Sequence, residues 1–271
     1  MDKEIEKIKP KKELGQNFLL SKKPINQIIY SAQLTNEDVV LEIGAGTGSL
    51  SEELIAKGVK RLILIEKDEE LVLILEKKFS KDKNVDIIQG DVREFFSKDR
   101  LEIINQPYKI VANLPYYLSS FLIRRLLEIK NKPKTIVLTL QKELAERICA
   151  KPGKMSLISV MVNFYGSPSL GEIIKKEEFY PIPKGDSRIL IIKDIKKPEN
   201  IDEKVFFRVI RVGFSSKRKM LIGNLKNGFR LSKKQLLSLF RDIGINEKSR
   251  AQELSLEEWK ELTNKIVKII S

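Results

Sequence analysis

Short apolar runs alternate with amphipathic helical patterns over the first half of the chain. DVVLEIGAG is followed by a helical pattern from Ser49 to Lys57, and RLILIEKD by ELVLILEKKF. VDIIQGD leads into a segment ending near Arg100, YKIVANLP into SSFLIRRLLEI, and KTIVLTL into QKELAERICA. Runs of four to six β-branched and other apolar residues, each followed by a helix, predict βαβ units around a buried parallel sheet. After Ala150 the texture changes: MSLISVMVNFY fits a helix or a strand, and EIIKKEEFYPIPKGDSRILIIK fits two strands around a Pro-punctuated loop. Lys196, Lys197 and Pro198 read as a linker, and the pattern is helical from Ile201 to the end. Ser232 and Ser255 are expected N-caps there, and Gly228 and Gly244 expected helix stops. This predicts an α/β domain over 1–195 and a smaller all-α domain over 196–271.

Composition removes several chemistries. The 271 residues include no histidine and a single cysteine, Cys149. Ser-His-Asp and Cys-His catalysis, His-ligated metals and Cys-cluster zinc sites are therefore excluded, and no metal is expected. Cys149 fits an inert small hydrophobe, and the lone Trp259, at helical spacing, a core residue. No run approaches the ~18 apolar residues of a membrane span. The opening MDKEIEKIKPKKELG is charged throughout, unlike a signal peptide, so a cytoplasmic protein without membrane contact is expected.

Charge points to a partner. Lys and Arg number 51 against 37 Asp and Glu, a net +14. Residues 196–271 hold 18 basic and 9 acidic side chains, most of that excess. Such a concentration is the electrostatic footprint of a polyanion, with nucleic acid the first choice.

Parallel sheets bind ligands at the carboxyl ends of their strands, and here those ends carry Gly44, Glu66, Asp91 and Asn113. In LEIGAGTGSL the glycines let the backbone approach a ligand and turn tightly into a helix. The dinucleotide fingerprint wants a further glycine where Ser49 stands, so Gly44 and Gly46 fit an S-adenosylmethionine loop better. Glu66, ending the second strand, suits both ribose hydroxyls of a nucleoside. Asp91 suits an adenine amino group or a helix N-cap, or both. Asp68 reads as a surface or cap group rather than a ligand.

Asn113-Leu114-Pro115-Tyr116 is the most specific segment. The lone pair of an exocyclic base amine is delocalised into its ring, which makes it a poor nucleophile. Accepting both of its N–H bonds turns that lone pair toward a methyl donor. The Asn113 side-chain oxygen and the Leu114 carbonyl can do so, Pro115 stiffens the turn, and Tyr116 offers a stacking face. No strong base is needed, which suits a chain without histidine.

In order and spacing these segments resemble the ribosomal RNA adenine N6-dimethyltransferases, the KsgA group, from Leu14 to about Leu225. The resemblance implies an α/β Rossmann-like S-adenosylmethionine-dependent methyltransferase sheet with an all-α C-terminal domain. LGQNFL looks like the family's N-terminal cofactor motif, which implies that Asn17 and the Leu19 backbone meet the methionine end of the cofactor. QKELAERICAKPG and FYPIPKGDSRIL are similar to later family motifs, and the second implies that Phe179 packs on a flipped target adenine. Gly185, where members usually carry valine, and Ser156-Leu157, where many carry Tyr-Gly, depart from the pattern. The implied substrate is a pair of adjacent adenines in the last hairpin loop of small-subunit rRNA, each dimethylated, where a loop base is cheap to extrude. Lys217, Arg218 and Lys219, with basic residues over 230–234, are the expected phosphate contacts, and a monomer is expected. Competing readings are an Erm-type large-subunit rRNA methyltransferase, a ribosome-assembly factor with dispensable catalysis, and a small-molecule methyltransferase. The Leu of NLPY and the Gly of GQNF favour the small-subunit type over Erm, and the basic C-terminal region argues against a small substrate.

Overall fold

A computed structural model describes residues 9–97, 104 and 106–270. The helical pattern expected to end near Arg100 is helix as far as Ser97, and its remainder lies outside the described residues. Contacts divide the chain into two compact units, one of Met1–Ala145 with Ser167–Ile195, the other of Glu146–Gly166 with Lys196–Ser271.

The first unit opens with β1 (Phe18–Leu19) and α1 (Lys22–Ala32). β2 (Val39–Ile43), α2 (Ser49–Ala56), β3 (Arg61–Glu66), α3 (Glu69–Lys78), β4 (Val85–Gln89) and α4 (Val92–Ser97) follow in strict alternation. β5 (Tyr108–Asn113), α5 (Ser119–Glu128), β6 (Thr135–Gln141) and α6 (Lys142–Ile148) continue it. The seven-stranded sheet adds β7 (Ser167–Ile174) and β9 (Ser187–Lys193), while β8 (Phe179–Tyr180) pairs with β1 in a separate ribbon.

Strand order is β4-β3-β2-β5-β6-β9-β7. The five βα strands are parallel, and β9 runs antiparallel to both β6 and β7. All five residues of β2 are buried because it is central in a sheet covered on both faces, which explains its unbroken apolar character. Chain direction reverses its march between β2 and β5, and the crevice at that switch point is where such folds take ligands. A core of Ile28, Val40, Leu54, Leu62, Val111 and Ile189 holds the sheet under α1 and α2.

In the second unit MSLISVMVNFY resolves as a helix, α7 (Leu157–Tyr165). Ser156 and Ser159 form a reciprocal capping box there, a start signal that no strand uses. Four helices follow: α8 (Glu203–Gly213), α9 (Leu221–Phe229), α10 (Lys233–Ile243) and α11 (Leu256–Ile270). Ser232 caps α10, Ser255 caps α11 through Glu258, and Gly244 ends α10 at φ 85°. Gly228 is not a stop. It lies inside α9, where a Cβ would sit 2.3 Å from Val212 Cγ1, and the left-handed stop falls on Arg230 at φ 56°. That glycine is selected by helix contact rather than by chain termination. Trp259 is fully buried and stacks on Phe214. None of the described helices is long and apolar enough to cross a membrane.

Candidate active site

One pocket of the first unit, about 1000 Å³ including space open to solvent, gathers the ends of β2, β3, β4 and β5 together with segment 14–19 and Phe179. Asn17, Leu19, Gly44, Gly46, Glu66, Asp91, Asn113, Leu114, Pro115, Tyr116 and Phe179 all line it. Lys217, Arg218 and Lys219 belong to the other unit, exposed in the turn between α8 and α9.

The glycine turn is committed to its own architecture. Gly44 N–H donates to Ile65 O at 2.8 Å and Gly46 N–H to Glu66 Oε2 at 2.9 Å. At Gly48, φ 80° and a Leu75 methyl 2.9 Å from any Cβ favour glycine. Glu66 also accepts the N–H groups of Lys67 (2.7 Å) and Asp68 (2.9 Å) on Oε1. Burial pushes its carboxyl up and these backbone donors pull it back, with the net direction upward. Three of a carboxylate's ~4 acceptor positions are thus taken, leaving about one for an incoming hydroxyl.

Asp91 is both cap and ion pair. It accepts Arg93 N–H at 2.8 Å, and its carboxylate meets the Arg93 guanidinium at 2.6 Å and Lys67 Nζ at 3.1 Å. The Arg93 bonds hold that carboxyl far below its usual range, so it is a permanent acceptor.

Asn113 is fixed by geometry. Its Nδ2 donates to the Asn17 carbonyl at 3.1 Å, which orients the amide and leaves Oδ1 as the acceptor for a ligand. The opposite orientation would set two acceptors against each other. Tyr116 OH bonds Ser187 Oγ at 2.7 Å, which pins the ring from β9. Phe179 is only 1% exposed, held in β8 opposite Leu19 of β1.

Sequence reasoning missed Lys11, Gln16 and Glu42, and the long-range partners of Asp68. Asp68 caps α3 and, with only 5% of its surface exposed, binds Lys11 Nζ at 2.7 Å and Gln16 Nε2 at 2.8 Å. Its cap role was legible in the acidic run after β3, but partners more than fifty positions away were not. Glu42 lines the pocket from within β2, fully buried, and burial raises its carboxyl to about 8. The signal was a lone acid in an apolar strand. Among the described residues no group of acidic or cysteine side chains is placed to hold a metal.

The family model described as ribosomal RNA adenine dimethylase matches residues 7–268. The chain belongs to the ribosomal RNA adenine dimethylase family. A relative in Dehalococcoides mccartyi strain CBDB1, named ribosomal RNA small subunit methyltransferase A, is 41% identical over 94% of this chain and 88% of its own. A protein of the same name in Fusobacterium nucleatum is 38% identical over 94% and 96%. The crystal structure of a dimethyladenosine transferase from Plasmodium falciparum superposes with a TM-score of 0.79 at 25% identity, covering 93% of this chain and 98% of that one. The 23S rRNA methyltransferase ErmE shares the fold, with a TM-score of 0.74 at 21% identity over 92% and 99%. This adenine dimethylase chain therefore has the α/β Rossmann-like methyltransferase sheet expected of it, with a helical C-terminal region.

Proposed function

We propose that this chain transfers methyl groups from S-adenosylmethionine to the N6 amines of two adjacent adenines in the 3′-terminal hairpin loop of small-subunit rRNA. The observation that carries this is the Asn113 amide, fixed with Oδ1 free at the edge of the strand-end pocket. The small-subunit assignment is supported by the relatives' names. We take it to be a cytoplasmic monomer acting on immature small subunits, with chemistry in the first unit and RNA grip in the second, which adds 146–166 to the 196–271 expected from the sequence.

The pocket fits the cofactor by its donor set. Glu66 keeps an acceptor for a ribose hydroxyl, Asp91 is an ionised acceptor that must give up part of its Arg93 and Lys67 contacts to meet an amino group, and Asn17 and Leu19 also line the pocket. When bound, S-adenosylmethionine supplies an electrophilic methyl group. The chain's own contribution is positioning. Asn113 Oδ1 and the Leu114 carbonyl accept the two N–H bonds of the adenine amine, and Tyr116 packs on the base, while Phe179, 1% exposed, contributes to the pocket lining. The amine loses a proton as the methyl group transfers, which keeps the product neutral, and water at the open pocket can take it.

For the RNA, the exposed Lys217, Arg218 and Lys219 supply charge without an ion-pair partner among the described residues. Lys217 also borders a second-unit cavity with Arg147, Lys154 and Phe214 whose walls carry no carboxylate, a seat suited to phosphate. Replacing Lys217, Arg218 and Lys219 by Ala is expected to weaken rRNA binding. The plot of log K against log salt should flatten by about 0.7–0.9 for each phosphate that the variant no longer neutralises. A slope equal to the parent's would place the RNA-binding surface elsewhere.

The deciding experiment uses labelled S-adenosylmethionine and both ribosomal subunits from a strain lacking the modifications, followed by nucleoside identification. Dimethyladenosine from the small-subunit 3′ hairpin alone is expected. Label in the large subunit would make the chain an Erm-type enzyme, and no label in either would leave an RNA-binding assembly factor.

A further inference from the structure

Residues 14–19 form one wall of the pocket, and Asp68 makes two of the contacts that fasten the segment leading into it, beside a Lys11–Glu70 ion pair at 3.1 Å and the β1–β8 pairing. Asp68 Oδ1 accepts from Lys11 Nζ at 2.7 Å and from Glu70 N–H at 3.2 Å, and Oδ2 accepts from Gln16 Nε2 at 2.8 Å. Gln16 is held at its other end too, since its Oε1 accepts the Lys11 N–H at 2.8 Å. One residue further, the Asn17 carbonyl accepts Asn113 Nδ2 at 3.1 Å, while the Asn17 side chain ties back to Gly15 O at 2.9 Å. A short chain of hydrogen bonds thus runs from a buried cap on α3 to the amide at the end of β5.

We infer that Asp68 is a positioning residue for methyl transfer: through Lys11 and Gln16 it holds the Asn17 carbonyl where that carbonyl orients the Asn113 amide, with Oδ1 toward the amine to be methylated. The inference rests on the adenine-methylating reading above. With segment 11–19 loosened, the Asn113 amide is free to turn over and present its NH2 to a substrate amine, donor against donor. Neither Asp68 nor Gln16 need touch the substrate.

The contact can be broken and rebuilt without removing the helix cap. Asp68→Asn keeps an oxygen for the Glu70 N–H, because Asn caps helices as well as Asp does. It also sets an amide NH2 against the Gln16 NH2 and removes one of the two carboxylates facing Lys11, leaving Glu70 Oε1 at 3.1 Å. Gln16→Glu alone sets carboxylate against carboxylate. The double variant reverses the polarity of the bond: the new amide at 68 donates to the new carboxylate at 16, which can still accept the Lys11 N–H.

Each single variant is expected to lower kcat about tenfold at saturating cofactor and rRNA, with Tm close to the parent's. In the apoprotein, backbone amides over 14–19 should exchange about tenfold faster, a readout that needs no catalysis. The double variant should bring both back to within about threefold of the parent, the non-additivity of a direct contact. Single variants with unchanged kcat would overturn the inference. So would a loss that the double variant does not relieve, or one confined to KM for the cofactor. A parent that methylates no rRNA would instead overturn the reading beneath it and take this inference with it, while the exchange data would still report whether Asp68 holds the segment.

Discussion

Asn113→Ala is expected to lower kcat by about 10²–10³-fold, the cost of deleting one preorganised polar group that meets the reacting atom. S-adenosylmethionine affinity should stay within about threefold of the parent's, since Glu66, Asp91 and the glycine turn remain in place. The reason is the direction of the amide. Nδ2 is occupied by the Asn17 carbonyl at 3.1 Å, so Oδ1 is the only atom of the side chain that can accept an amine N–H. Asn113→Asp is the sharper variant. It keeps shape and acceptor but has no N–H for the Asn17 carbonyl, and the repulsion between two oxygens should turn the carboxylate away. Single-turnover transfer to a small-subunit 3′ hairpin, with cofactor binding measured separately by calorimetry, separates the effects. An Ala variant turning over within about fivefold of the parent would remove Asn113 from the chemistry.

Much of this site was legible because fully buried parallel strands read as unbroken apolar runs, and their ends stand out by contrast. Glu66, Asp91 and Asn113 were visible for that reason, and the structure gathers them with the glycine turn in one pocket. The two C-terminal strands of the sheet were visible as strands, but β9 lies between β6 and β7, an order that local pattern does not encode. MSLISVMVNFY was ambiguous because a short apolar run satisfies either period, and the Ser156–Ser159 cap is what makes it helical. Gly228 misled because glycine serves two purposes, and its closeness to Val212 is a property of the folded unit alone. The same holds for Asp68. Its local role as a cap was readable, whereas Lys11 and Gln16 reach it only after the chain has folded back.

Glu42→Gln is expected to stabilise the protein at alkaline pH and to leave it nearly unchanged near pH 4. Glu42 is 1% exposed near the carboxyl end of β2, where Ser51 Oγ donates to it at 2.7 Å and Glu66 is its charged neighbour. Burial, reinforced by Glu66, raises its carboxyl from 4.5 to about 8, so the folded chain holds a proton there that the unfolded chain has released by neutral pH. Stability from this group is therefore complete below pH 4.5, declines as pH rises, and is fully gone above pH 8. A shift of that size corresponds to at most about 5 kcal/mol between the two limits. The Gln side chain has nearly the same shape, retains an oxygen for Ser51 and never ionises, so its curve should be flat where the parent's falls. Unfolding of both proteins by denaturant from pH 4 to pH 9 reads the difference directly, and parallel curves would show that Glu42 titrates as an ordinary surface acid. The same group faces the cofactor pocket. A positive sulfonium bound there favours the ionised carboxylate, so cofactor binding by the parent should release protons between pH 7 and 8 and binding by the variant should not. Calorimetric titrations in buffers of different ionisation heat measure that release. Glu42 would then link the burial that holds β2 at the centre of the sheet to the charge of what binds at its end.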